Sequence, residues 1–98
     1  FMSLGGLGFI SVFASLMPEQ MAQIQQLMLD GSYKEAARLH FQYLEFMNAL
    51  FSDVNPIPVK AAMNLMGFAC GECRLPLVPM SDSALSGLKE CLKKFGLV

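Results

Sequence analysis

The chain has 98 residues, a formal net charge of −1, 54% hydrophobic and only 15% charged residues, so it holds at most one small domain and is more apolar than the usual soluble domain, which carries about 25% charge. Seven Lys+Arg are balanced by eight Asp+Glu and scattered, which gives no basic footprint for nucleic acid. The longest apolar run, Leu7 to Met17, is interrupted by Gly8, Ser11 and Ser15 and falls short of the roughly 18 consecutive apolar residues of a membrane span. No cation precedes it, as a signal peptide requires, so the sequence reads as cytosolic with no membrane partner.

Phe1 to Leu4 read as the end of an element, because Gly5-Gly6 follows and glycine commonly sits just past a helix C-terminus. Leu7 to Ala14 is short, rich in β-branched and aromatic residues, and apolar on both alternating faces, the pattern of a buried parallel-sheet strand. A lone strand has no ladder partner within this chain, so its other strands must come from elsewhere.

Pro18 suits the first turn of a helix over residues 17–30, on which Met17, Met21, Ile24 and Met28 share one face and which Gly31 ends. Ser32-Tyr33-Lys34-Glu35 reads as a capping box opening a second helix over 33–51, with Ala36, Leu39, His40, Tyr43, Met47 and Leu50 as its apolar stripe and Ala37, Leu44 and Phe51 widening it. Asn55-Pro56-Ile57-Pro58 stops that helix and pre-sets a third over 57–66, ended by Gly67. Residues 68–80, with Gly71, Pro76 and Pro79, read as an extended connection. Ser81 caps a last helix over 82–95, with Asp82 in its first turn, Lys93 and Lys94 in its last, and Leu85, Leu88, Leu92 and Phe95 as its buried stripe.

Chemistry-bearing residues are few. Cys70-Gly71-Glu72-Cys73 has the spacing of half a zinc site or a redox pair, but only Cys91 and His40 remain as further ligands and neither lies in a second knuckle; the plainer reading is three free thiols, buried or half-exposed. His40, the single histidine, falls on the apolar stripe of the second helix and is expected as a packed, hydrogen-bonded side chain rather than a general base, since no nucleophile or orienting carboxylate is nominated for it. Lys60 sits among apolar neighbours, as a Schiff-base lysine would, yet it occupies the first turn of a short helix from which its amine can reach solvent. Gly5, Gly6 and Gly8 lack the third glycine of a phosphate loop and make a tight turn more simply. Composition and spacing assemble no catalytic constellation and no cofactor site.

Two motifs carry more information. Asn55-Pro56-Ile57-Pro58-Val59-Lys60 and Arg74-Leu75-Pro76-Leu77-Val78-Pro79-Met80-Ser81 resemble the C-terminal region of dihydrodipicolinate synthases, and related aldolases of the N-acetylneuraminate lyase family generally lack the first. The likeness extends over Leu4 to Val12, similar to the family's last barrel strand, and to Gly96-Leu97. It implies a (β/α)8 barrel, which takes about 250 residues, followed by a helical extension. This chain would then be mostly α, a fragment in which residues 1–31 hold the last strand and helix of the barrel and 32–98 the extension.

The resemblance implies a lyase that condenses pyruvate, held as a Schiff base on a barrel lysine, with aspartate semialdehyde, and that needs no cofactor or metal. That lysine and its helpers would lie upstream, so the fragment alone is expected to be inactive, with the missing N-terminal barrel as its partner. Lys60 belongs to the extension motif and does not match the Schiff-base lysine. Ile10 matches the residue whose backbone carbonyl faces the substrate lysine, consistent with barrel chemistry at the C-terminal ends of strands. Phe13-Ala14-Ser15 departs from the Thr-Ala-Asn common in the family. Leu4 corresponds to a position near a subunit contact of the family tetramer, which implies a homo-oligomer. The competing expectation is a self-associating helical interaction module that keeps the sequence without the chemistry.

Overall fold

A computed structural model describes all residues from Phe1 to Val98. All of its regular structure is helical, with no β-strand: α1 is Pro18–Leu29, α2 is Tyr33–Ala49, α3 is Ile57–Leu65 and α4 is Asp82–Lys94, preceded by two single 3-10 turns at Met2–Leu4 and Phe13–Ser15. Each α-helix lies where the periodicity and the prolines and glycines place it. The chain divides into two compact units, Phe1–Glu45 and Phe46–Val98, and α2 runs across the division.

In the first unit the Phe13–Ser15 turn packs on α1. Phe13, Leu16, Met17, Ile24, Ala36 and Leu39 are buried, and Met21 and Met28 half-buried, so the predicted face of α1 is the inward one. The Phe13 ring meets Tyr43 at 5.6 Å between centroids, a tilted geometry favoured by the ring quadrupoles. Burying each such side chain is worth about 1.5 to 3 kcal/mol.

The strand expected over Leu7 to Ala14 is not formed. Residues 6–12 have no regular structure, Leu7 and Ile10 are exposed, and no backbone N–H from Gly6 to Val12 is hydrogen-bonded within the chain. The physical reason is the one that the sequence supplies: a ladder needs neighbouring strands, and this chain has none to offer. Gln25 Nε2 donates to the Leu7 carbonyl at 3.3 Å, the one side-chain tie on that stretch.

In the second unit Phe46 and Leu50, both with no exposed surface, Ile57, Pro58, Val59 and Ala62 of α3, and Leu88 and Leu92 of α4 form the core. Phe46 stacks on Phe95 at 5.4 Å, and α3 packs on α4. The buried side of α2 is therefore Ala36, Leu39, Phe46 and Leu50, not the broader stripe expected; Ala37, His40 and Phe51 are exposed. Phe46 escapes a stripe drawn through His40 because the true seam steps by three and then by seven residues, which puts His40 and Met47 one position off its centre.

One device ends three of the helices. Gly31, Gly67 and Gly96 follow the C-caps of α1, α3 and α4 with φ of 77°, 97° and 73°. In each case the glycine N–H and that of the next residue fold back onto the last turn, as in Gly31 to Met28 and Ser32 to Leu27 at 3.2 and 2.8 Å. This is the Schellman arrangement, for which a left-handed residue is needed and glycine carries no Cβ penalty. It also changes the start of α2. The Ser32 N–H is committed to Leu27, and the Glu35 carboxylate accepts from Arg38 Nε and Nη2 at 2.9 and 2.7 Å, so the reciprocal capping box expected at Ser32 and Glu35 is not closed. Ser81 does cap α4, accepting from the Ala84 N–H at 3.3 Å.

Candidate functional site

The built feature of the second unit is a strap, residues 68–80, held over one side of α3. It is irregular because Gly67 turns the chain out of α3 and Pro76 and Pro79 remove N–H donors from any ladder. Asn64 fixes its first half from both sides: its Oδ1 accepts from the Cys70 N–H at 2.8 Å and its Nδ2 donates to the Gly71 carbonyl at 2.9 Å. One turn earlier on α3, Lys60 Nζ donates to the Glu72 carbonyl at 2.7 Å. Residues i and i+4 share a helix face, so a single face of α3 grips three consecutive carbonyl or amide positions of the strap.

Beneath the strap lies a half-open cavity of about 310 Å³, bounded by Ile57, Lys60 and Asn64 of α3, Cys73 and Met80 of the strap, and Leu85 of α4. Lys60 is half-buried there, and its ammonium, at the exposed rim, is tied to the Glu72 carbonyl. A lysine that spends a hydrogen bond on a carbonyl is set up as an anchor for the strap.

The other sequence candidates fall apart in space. Cys70, Cys73 and Cys91 form no disulfide, and no group of three or more His, Cys, Asp or Glu side chains stands close enough together to hold a metal ion. His40 is exposed on α2, edge-to-face with Phe41 at 5.4 Å, rather than packed into the stripe; the 3.6-residue repeat admits either position, and Leu39 takes the inward one. Ile10 is fully exposed, beside a shallow hollow bounded by Phe1, Gly8 and Phe9. Glu35 and Arg38 form an ion pair at 2.7 Å on the outside of α2; the Arg38 guanidinium, chiefly by hydrogen bonding, holds the Glu35 carboxyl below its ordinary range, and Glu35 raises Arg38 in return. No helix is long and apolar enough to cross a membrane.

Sequence reasoning found Lys60 but missed Asn64, which no motif flags; its signal is only an amide one helical turn from Lys60 and a few residues before a Gly/Pro-rich stretch.

Comparison with known proteins places the chain. It is 44% identical over 97 residues to the 4-hydroxy-tetrahydrodipicolinate synthase of Acetivibrio thermocellus and 48% identical over 97 residues to that of Lachnoclostridium phytofermentans, in each case covering 99% of this chain and 33% of the relative. Among solved structures it superimposes on the dihydrodipicolinate synthase of Thermotoga maritima with a TM-score of 0.94 at 42% identity, covering 99% of this chain and 33% of that one. The Aquifex aeolicus enzyme gives 0.95 at 38% identity, covering 98% and 33%. The chain thus spans about a third of the length of the relatives it matches, and it corresponds to their C-terminal helical part. With the model of the dihydrodipicolinate synthetase family matching residues 1–95, this chain belongs to that family.

Proposed function

We propose that the chain is the C-terminal third of a 4-hydroxy-tetrahydrodipicolinate synthase, a cytoplasmic lyase of lysine biosynthesis that condenses pyruvate with aspartate semialdehyde. The observation that carries this reading is the likeness over 99% of the chain to enzymes three times its length. In this reading residues 1–31 complete a (β/α)8 barrel and 32–98 form its helical extension. The barrel's upstream strands pair with the segment that is bare here, and its upstream lysine carries pyruvate as a Schiff base. Ile10 contributes only its backbone carbonyl, directed at that lysine, a role indifferent to the side chain. The assembled enzyme is a homo-oligomer.

The fragment by itself is inactive, since a carbonyl cannot replace a nucleophilic amine and its proton relay. Incubation with pyruvate and borohydride is expected to add no mass to the purified chain. Substituting it for the matching third of the Thermotoga maritima enzyme is expected to give a chimera that turns over. A trapped adduct at Lys60, or a folded chimera without activity, would overturn the proposal.

Leu4, Leu7 and Ile10, large, apolar and exposed, favour a second reading, a self-associating module without catalysis. Light scattering at micromolar concentration separates the two when the upstream barrel fragment is added: a 1:1 heteromer supports the enzyme reading, and homo-oligomers indifferent to the barrel support the module.

A further inference from the structure

The cavity under the strap plays no part in the chemistry proposed above, and we propose that it is a binding site for a short-chain monocarboxylate, an aliphatic acid of about six carbons. At the roughly 30 Å³ that a water molecule takes in the liquid, its 310 Å³ would hold on the order of ten waters. That is room for a small amphiphile and at the lower end of ligand pockets. Its wall is aliphatic, supplied by Ile57, Leu65, Val78, Met80 and Leu85, so water in it is poorly satisfied and an alkyl chain displaces it with gain.

The head group is specified by Lys60, the one cation on the lining. An ammonium has three N–H donors, and Lys60 makes a single bond, to the Glu72 carbonyl. That bond positions the ammonium at the rim and leaves two donors for a carboxylate. Asn64 spends one of its two Nδ2 N–H donors on the Gly71 carbonyl and its Oδ1 accepts from the Cys70 N–H, so the charge offered to a head group comes from Lys60 alone. Glu72 also borders the cavity, but it is an exposed residue and forms no ion pair with Lys60, so the ammonium is not already neutralised. An aliphatic tail with one anionic head matches this distribution; a dianion or a sugar does not.

The test is a titration of the purified chain with hexanoate, hexanol and hexylamine, followed by amide and methyl NMR shifts. Hexanoate is expected to saturate, moving the Leu85 and Val78 methyls and the Lys60 side chain, with hexanol weaker and hexylamine weakest. Lys60→Met should weaken hexanoate by about tenfold or more, the size expected for one charge-assisted hydrogen bond, and leave hexanol unchanged. Lys60→Arg, which keeps the charge and can keep the tie to Glu72, should retain hexanoate binding and so controls for loosening of the strap. Glu72→Gln should tighten it by removing a like charge near the carboxylate. Hexanol binding as well as hexanoate, equal loss in Lys60→Arg and Lys60→Met, or shifts confined to Leu7, Phe9 and Ile10 would overturn the proposal.

Discussion

Two stretches of this chain lack regular structure, residues 6–12 and 68–80, and they differ in who holds them. The second lies on an element of its own chain: Lys60 and Asn64 make three hydrogen bonds to Cys70, Gly71 and Glu72, and Met80 is buried at its end. The first has one bond from Gln25 to Leu7, exposed apolar side chains, and a run of unbonded N–H groups. Irregular backbone is stable when side chains stand in for the ladder. It is bare when its partners are strands supplied from elsewhere.

The comparison can be broken most severely through the core that supports the strap. Phe46→Ala, which empties a site with no exposure and removes the Phe95 stack, should cost about 3 to 5 kcal/mol in denaturant unfolding. A loss below about 1 kcal/mol would mean that the second unit does not depend on that core.

Asn64→Ala removes both side-chain bonds to the strap, at the Cys70 N–H and the Gly71 carbonyl, and should cost about 1 kcal/mol, with hydrogen exchange at Cys70 accelerated well beyond the global change. Gln25→Ala, the matching change in the first unit, should cost under about 0.5 kcal/mol, because it loses a single bond of 3.3 Å where Asn64 loses two shorter ones. Equal costs for the two would erase the distinction drawn between the stretches.

The smallest expected effect concerns α2. Glu35 is held below its ordinary range by Arg38, so the pair's contribution is present above the unfolded carboxyl pKa of about 4.3 and is lost as pH falls through the lower folded value. Both groups are exposed, so Glu35→Gln should leave stability at pH 7 nearly unchanged and flatten slightly its fall below about pH 4.3. A steep difference there would show that the pair is shielded from solvent.

The helices were legible because their signals are local. Pro18, Pro58, Ser81 and the glycines after α1, α3 and α4 mark boundaries that depend on a few neighbouring backbone groups. The inward side of α2 was only partly legible, since Phe46 and His40 both fit an apolar stripe and tertiary packing chose Phe46. The Ser32–Glu35 box failed for a reason outside its own four residues: Leu27, in the preceding helix, had already taken the Ser32 N–H. Leu7 to Ala14 carries a strand pattern that is intelligible only with other strands beside it, so the letters describe a setting that this chain lacks. The cavity was not legible at all, because it depends on Asn64 and Lys60 meeting the backbone of residues 70–72, and sequence records side chains rather than carbonyl positions.

The glycine that ends α1 has a consequence for chemical synthesis. At Gly31, φ is +77° and a Cβ would meet nothing within 4 Å, so the obstacle to a side chain is handedness, not space. A D-alanine favours that conformation just as an L-alanine favours its mirror image. Assembled from peptides ligated at Cys70 or Cys91, a chain with D-alanine in place of Gly31 should gain about 0.4 to 1 kcal/mol by restricting the unfolded state. The chain with L-alanine there should lose by at least as much, so two products of identical mass and composition would melt on opposite sides of the parent.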